Sequence, residues 1–214
     1  MEQCAIIVVR YTRSVTTKQP PSRSRTASAD VTATLLDAAH ALLEEGGDDA
    51  ITVRAVAARA GVAPMGVYSR FGSKDGLLEA LFVQGFDSLH EAINAASGPD
   101  ALTRLRRGCG AYRVFALAHP HQYQLMFKQM LELDLSEEAL ERAAATFGQL
   151  VGRVADAMAA GQLADGDDVE VAQQIWSAIH GSVTLDLAGI TFTADGQKTF
   201  DTMIDALLRG LAPS

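Results

Sequence analysis

The chain has 214 residues, 48% of them hydrophobic and 21% charged, a composition typical of globular proteins with room for one large core or two small ones. No apolar run approaches the roughly 18–20 residues that a membrane-spanning helix needs, so we expect no membrane partner and a cytoplasmic location. The two cysteines, Cys4 and Cys109, are too few for a disulfide framework or a thiol-rich metal site.

The net charge of −8 argues against a nucleic-acid partner, but the charges are unevenly distributed. No acidic residue lies between Thr52 and Lys74, and this window also holds Arg54, Arg59 and Arg70. A basic island in an acidic protein favours nucleic-acid binding by that island alone.

Residues 1–27 are rich in basic residues, Ser, Thr and Pro, which predicts a disordered basic arm. Two interpretations remain open for this arm. It contacts a DNA minor groove, as homeodomain arms do, or it has no structural role, which is the interpretation we favour.

Helical periodicity and capping residues predict four helices in the N-terminal part, over residues 29–46, 53–60, 64–70 and 74–96. Thr52 and Ser73 are the predicted N-caps of the second and fourth helices, and Gly61 is predicted to end the second. Pro64 suits the first turn of the third helix. A break at residues 97–99 follows the fourth helix.

Five further apolar stripes at helical spacing follow the break, and no segment alternates as a strand would. They run over residues 102–112, 123–127, 140–158, 169–183 and 200–211. We therefore predict an all-α fold of about nine helices. A three-helix, homeodomain-like helix-turn-helix domain occupies residues 28–88, and a C-terminal helical bundle occupies residues 89–214.

The stretch from Thr52 to Phe71 has the features of a helix-turn-helix. Two steeply crossing helices need a small residue at their contact, a flexible turn and an apolar residue on the second helix that packs back on the first. Ala57, Gly61 and Val67 occur at those three positions. This packing leaves the other face of the second helix free to enter a DNA major groove.

The segments LLDAAHALLEEGG and DAITVRAVAARAGVAPMGVYSRFGSKDGLLEAL resemble the TetR family of bacterial regulators over residues 30–82. The positions that coincide with the family pattern are Thr52, Ala57, Gly61, Val62, Tyr68, Phe71, Lys74 and Leu78. One departure is Gly76, where a Glu would complete a capping box with Ser73. We expect this departure to weaken only the start of the fourth helix.

The resemblance implies a homodimeric transcriptional regulator, most commonly a repressor, that binds a palindromic operator in double-stranded DNA. It implies phosphate contacts for Thr52, Tyr68 and Lys74, and it places Arg70 near bases or backbone. The basic window adds Arg54 as a further candidate. The residues that the resemblance places at or beside the base edges are Pro64, Met65, Gly66 and Ser69.

In the C-terminal part, Trp176, His180 and Gly181 resemble the Trp-His-Gly (WHG) signature of one C-terminal domain class in this family. Trp176 and His180 lie four residues apart and share a helix face. A core tryptophan beside a hydrogen-bonded histidine is the alternative interpretation, and it is compatible with the signature.

Aromatic and thioether side chains adapt to irregular apolar ligands, so their abundance in the C-terminal part predicts a site for a small apolar ligand. The alternative is that most of them form core. The candidate ligand-binding residues are Tyr112, Phe115, Tyr123, Phe147, Met158, Trp176 and His180.

The last two long helices carry broad apolar bands, which predict a four-helix interface between two copies. The candidate interface residues are Val183, Met203, Leu207 and Leu208. The alternative is that both helices bury these bands within one subunit.

We predict no enzyme activity, metal or cofactor, since the chain has no nucleophile elbow, phosphate-binding glycine loop or metalloprotease motif. His119 and His121 flank Pro120, but no cluster of acids or cysteines completes a metal site around them. Two rival interpretations are a helical-bundle enzyme that uses the histidines and a helical interaction module that no longer binds DNA.

Overall fold

The computed structural model describes residues 26–213, with side chains from residue 30 onward. All regular structure in this range is helical, which confirms the predicted all-α fold. The predicted basic arm lies outside the described residues except for its last two, which begin the first helix. The helices are α1 Thr26–Gly46, α2 Val53–Arg59, α3 Pro64–Phe71, α4 Lys74–Asn94, α5 Ala101–Ala118, α6 Pro120–Glu132, α7 Glu137–Ala159, α8 Asp168–Leu187 and α9 Gly196–Gly210.

Side-chain caps explain where several of these helices begin. The Thr52 Oγ1 accepts a hydrogen bond from the Ala55 N–H at 3.1 Å, which confirms the predicted N-cap of α2. The carboxylates of Asp100, Asp167 and Asp195 accept equivalent bonds at the starts of α5, α8 and α9. None of the helices in the described part of the chain is long and apolar enough to span a membrane.

The first of two compact units consists of residues 26–86 and 121–144. Helix α6 packs closely on α4 here, since a Cβ at Gly85 would collide with the Gln122 amide and lie 2.7 Å from Met126 Sδ. The Gln122 amide donates a 2.8 Å hydrogen bond to the Leu81 carbonyl. The packing therefore groups α6 with the N-terminal helices, whereas the predicted domain boundary at residue 88 stays a prediction.

The second unit consists of residues 87–120 and 145–213. Cys109 is buried in it, and burial raises the pKa of its thiol to about 12. Arg113 of α5 is also buried and joins two other helices: its Nε donates to Asp186 of α8 at 3.0 Å, and its Nη1 donates to Gln197 of α9 at 2.6 Å. The guanidinium also lies 5.5 Å from the ring centroid of Phe200.

We expect Arg113→Ala to lower the free energy of unfolding by about 3–5 kcal/mol, because it leaves a nearly buried Asp186 carboxylate without its partner. The matched control is Arg106→Ala, which breaks an ion pair with Asp205 whose side chains are about 40% exposed. That change should cost at most about 1 kcal/mol. Urea unfolding at one protein concentration measures both values. Equal losses for the two variants would contradict the assigned role of Arg113.

Candidate nucleic-acid interface

The bend between α2 and α3 is closed by backbone hydrogen bonds. Gly61 has φ +68°, the left-handed conformation that glycine adopts without strain. Its N–H donates to the Ala58 carbonyl at 3.2 Å, and the Val62 N–H donates to the Ala57 carbonyl at 3.0 Å. This pair of bonds is a Schellman motif, so the chain turns at the predicted glycine.

A small core fixes the orientation of α3 against α2. Val56, Ala57 and Val67 are buried, and Ile51 beside them is fully buried. The opposite side of α3 faces outward, where Met65 is 72% exposed and Ser69 is also exposed. The second helix of the motif is therefore held on one face and accessible on the other.

The three candidate phosphate ligands are all exposed. Thr52 lies at the start of α2, and Lys74 lies at the start of α4. Tyr68 lies on α3 and is 48% exposed. Helix N-termini attract phosphate groups because their first N–H groups are free and the helix dipole is positive there.

The basic window contains one residue that is already paired. Arg59 forms a two-point ion pair with Glu45 of α1, at 2.6 and 2.7 Å, and this hydrogen bonding lowers the pKa of the Glu45 carboxyl. Arg54 is exposed on α2. Arg54, Lys74 and Arg70 are therefore the remaining basic candidates for contacts with DNA.

Arg70 folds back on its own helix. Its Nη1 donates to the Gly66 carbonyl at 3.3 Å and to Ser69 Oγ at 3.2 Å, while its Nε is buried without a hydrogen-bond partner. Ser69 Oγ itself donates to the same Gly66 carbonyl at 3.1 Å. In this conformation, the two predicted polar base-contacting side chains bond to each other, and an Arg70 contact with DNA requires a change of rotamer.

The expectation for Gly76 needs a correction. The Ser73 Oγ accepts a hydrogen bond from the Gly76 N–H at 3.1 Å, so the serine half of the capping box is present. A Cβ at Gly76, however, would collide with the Phe71 carbonyl oxygen. Glycine is required at this position because the turn from α3 passes too close for a side chain.

The second unit brings four of the candidate ligand-binding residues together. Tyr112 Oη and His180 Nδ1 lie 3.2 Å apart, and the rings of Trp176 and His180 lie 5.4 Å apart. Phe147 meets Trp176 edge to face with ring centroids 6.0 Å apart. Burial lowers the pKa of His180, which favours its neutral imidazole.

The other candidates lie elsewhere or contribute less. Phe115 is buried and its ring lies 5.3 Å from that of His119, and Met158 is half-buried. Tyr123 belongs to the first unit, where its ring lies 4.8 Å from that of Phe127. A ligand-binding role for each of the seven residues stays a prediction.

Two of the four candidate interface residues are not accessible to a second copy. Val183 is fully buried and Leu208 is 5% exposed within a single chain, so the alternative of burial within one subunit holds for both. Met203 and Leu207 are half-buried. Apolar periodicity identified the helices but could not distinguish the face that packs on neighbouring helices of the same chain.

A rigid helix pair with an exposed outer face and exposed basic residues defines a helix-turn-helix protein. Residues 35–81 match the family model of bacterial regulatory proteins of the tetR family, and residues 105–207 match the tetracyclin repressor-like C-terminal domain. The chain belongs to the TetR family of DNA-binding transcriptional regulators. Both matched models describe regulators and not enzymes.

The chain is also similar to individual proteins. A solved protein of unknown function from Rhodococcus sp. RHA1 is 30% identical with a TM-score of 0.79, over 86% of this chain and 95% of that chain. An uncharacterised HTH-type transcriptional regulator of Mycobacterium tuberculosis, Rv0681, is 26% identical over 83% of this chain and 79% of its own length. A TetR variant from Acinetobacter baumannii AYE, solved in complex with minocycline, shares the fold with a TM-score of 0.60 at 22% identity, over 83% of this chain and 94% of that chain.

We expect Gly66→Ala to stabilise the protein but to weaken DNA binding. The added Cβ would lie in ordinary contact, 3.5 Å from Val62 Cγ2, and alanine favours a helix over glycine by up to about 1 kcal/mol. The same methyl group occupies space where the DNA would approach the α3 backbone. Thermal unfolding and fluorescence anisotropy with duplexes selected from a random pool measure the two effects.

Gly152→Ala is the matched control, since Gly152 is an exposed helical glycine of α7 with open space around it. It should stabilise the protein and leave DNA affinity unchanged. If Gly66→Ala binds DNA as tightly as this control does, α3 does not approach DNA at Gly66.

Proposed function

We propose that this protein is a ligand-released repressor that binds a palindromic operator as a homodimer. The observation that carries the proposal is the outer face of α3, which is exposed on a rigid helix pair and flanked by exposed basic residues without an intervening acid. Repression is the common mode of the TetR family. A repressor acts by occupying its operator, which DNA binding alone achieves.

The chemistry of the exposed groups divides them into candidates for phosphate contacts and candidates for base contacts. Thr52, Tyr68, Lys74 and Arg54 offer hydroxyl and cationic groups to phosphates, which fix the register of the protein on the duplex. The base-facing side of α3 has few polar groups, since Met65 can contact a thymine methyl and Ser69 bonds within the helix. Operator selectivity then depends on Arg70 and on the shape of the DNA.

One such motif contacts only a few base pairs, so a useful affinity requires two copies about one helical turn apart on the DNA. The outward face of α8 suits a two-fold interface. A Cβ at Gly181 would meet nothing within 4 Å in the single chain, although glycine weakens a helix interior. Ser177 lies one turn before it and is exposed as well. A partner helix that approaches closely at Gly181 explains why a glycine occupies this position of the helix.

The aromatic cluster of the second unit supports a ligand of mostly apolar character. Phe147 and Trp176 offer ring surface, while Tyr112 and the neutral His180 offer one hydrogen-bonding pair to orient a polar group. The Acinetobacter relative with the same fold is described in complex with minocycline, an aromatic polycycle. We further propose that this domain belongs to the Trp-His-Gly class, because Trp176, His180 and Gly181 resemble its signature.

Helix α7 provides a route from the ligand to the DNA-binding part. Phe147 and Arg153 both lie on α7, and Arg153 donates hydrogen bonds to the carbonyls of Ile93 at 2.6 Å, Ala96 at 3.1 Å and Arg104 at 2.7 Å. A ligand that displaces α7 therefore displaces the end of α4, whose first residue is the phosphate ligand Lys74. The ligand changes operator affinity only by its differential affinity for the two states, typically about 1–3 kcal/mol, and DNA weakens ligand binding by the same factor.

The operator is tested by selection from a random duplex pool, from which we expect inverted half-sites about one turn apart. Lys74→Ala should weaken binding to all duplexes and lower the salt slope by about one unit, because it removes a phosphate contact. Arg70→Ala should instead change which sequences are preferred. Lys198→Ala, on an exposed lysine of α9, is the control and should leave the slope unchanged. The absence of any salt-sensitive duplex binding by the purified protein would refute the DNA-binding role.

Ligand binding can be followed by the emission of Trp176, the single tryptophan of the chain. We expect minocycline, or another compound from a panel of mostly apolar aromatic molecules, to change this emission and to release the protein from its operator. Phe147→Ala should weaken that compound at least about tenfold, because the ring that meets Trp176 is lost. Leu131→Ala, at an exposed site of the first unit, is the control. If Phe147→Ala and Trp176→Ala both retain full release, the cluster is not the ligand site.

A further inference from the structure

Neutral groups hold Arg70 against its own helix. The Arg70 Nη1 donates to the Gly66 carbonyl at 3.3 Å and to Ser69 Oγ at 3.2 Å. The Ser69 hydroxyl donates in turn to the Gly66 carbonyl at 3.1 Å. Since a hydroxyl has one proton to donate and two lone pairs that accept, it can make both bonds at once. We call the two residues joined in this way the Ser69–Arg70 pair.

Another arginine of the basic window is held more firmly. Arg59 meets the Glu45 carboxylate with two bonds, at 2.6 and 2.7 Å. Hydrogen bonds between ionised groups are shorter and stronger than those to neutral groups. The two bonds of Arg70 go to neutral oxygens and lie at or beyond the long end of the usual range. Arg70 is therefore easier than Arg59 to detach from its partners.

The folded-back conformation of Arg70 leaves one of its donors unused. The Nε is buried and has no hydrogen-bond partner among the described residues. A buried donor without a partner destabilises the conformation that buries it. Rotation toward solvent exposes this donor, and the guanidinium can then meet two acceptor atoms with its planar fork. The bonds to Ser69 and Gly66 thus favour the folded-back conformation, and the unused Nε favours its opening.

This balance matters for DNA binding because both residues belong to the predicted reading surface. Ser69 is exposed and Arg70 is half-buried. An Arg70 contact with DNA breaks the bonds that the Nη1 makes within α3, so these bonds lower the affinity for every duplex that Arg70 contacts. One hydrogen bond of this kind changes an equilibrium constant by about twofold to tenfold.

We propose that Ser69 is a positioning residue that holds Arg70 away from the operator and so lowers operator affinity in the wild type. This inference rests on the proposed contact between α3 and the operator. A ligand can change DNA affinity only by its differential affinity for two states of the protein. A moderate operator affinity therefore suits a repressor that a ligand must release.

The test is a double-mutant cycle of Ser69 and Arg70 in the full chain, measured by fluorescence anisotropy on the operator that selection from a random duplex pool yields. With Arg70 present, Ser69→Ala should raise operator affinity about twofold to tenfold, because one bond that holds Arg70 is lost. In the Arg70→Ala background, Ser69→Ala should bring no such gain. Ser69→Thr keeps a hydroxyl and should bring no gain in either background. Ser88→Ala, at an exposed serine of α4, is the matched control for a serine-to-alanine change on a helix surface.

A second measurement follows Arg70 in the free protein. The Nε proton of Arg70 is buried in the folded-back conformation, so it should exchange slowly with water in side-chain NMR spectra. Ser69→Ala should speed this exchange by about twofold or more, because it raises the population of the open conformation. An unchanged exchange rate would show that Ser69 does not hold Arg70.

The cycle separates this inference from the proposed function. Equal effects of Ser69→Ala in both backgrounds would overturn the inference, since Ser69 would then act independently of Arg70. A loss of affinity that requires Arg70 would also overturn it, because Ser69 would then orient Arg70 toward the DNA. If Arg70→Ala binds the operator as tightly as the wild type does, the inference fails while the DNA-binding role stands on other residues. If the wild type binds no duplex at all, the proposed function and the inference both fail.

Discussion

Helix α4 supplies buried side chains to both compact units. Leu81 is fully buried in the first unit and Leu89 is 1% exposed in the second. Because Lys74–Asn94 is one uninterrupted helix, Lys74 and Ile93, whose carbonyl accepts a hydrogen bond from Arg153, belong to a single hydrogen-bonded element. The proposed coupling of ligand and DNA depends on the continuity of this helix.

Helix α6 makes the DNA-binding part larger than the helix-turn-helix alone. Lys128 forms an ion pair with Asp48, the first residue of a short 3-10 helix between α1 and α2, and this contact lowers the pKa of the Asp48 carboxyl. Just after α6, Ser136 donates both its N–H and its hydroxyl to the Glu79 carboxylate of α4. Helix α6, which follows α5 of the second unit, thus contacts the helices of the first unit. The chain therefore connects the proposed sensor to the DNA-binding part a second time, through the start of α6.

Local chemistry made the DNA-binding motif predictable. Thr52 caps α2 because its hydroxyl reaches an N–H three residues ahead, and Gly61 turns the chain because it adopts a positive φ. Both effects involve residues that are close in sequence. The positions of the nine described α-helices were predictable for the same reason, since helical periodicity is a local pattern. The role of Gly76 was missed, since the carbonyl that excludes a side chain there belongs to the preceding helix.

The sequence by itself determined the helical class, the helix-turn-helix and the face of α3 that is free for DNA, because period, caps and turn residues act over a few positions. Only the tertiary structure decided which apolar residues of α8 and α9 are core, as Val183 and Leu208 are, and which remain exposed, as Phe192 does. It also decided that Arg113 is a buried link among three helices and not a surface charge. Burial and long-range pairing depend on elements far apart in the chain, and hydrophobic periodicity carries no information on which neighbour a face will meet.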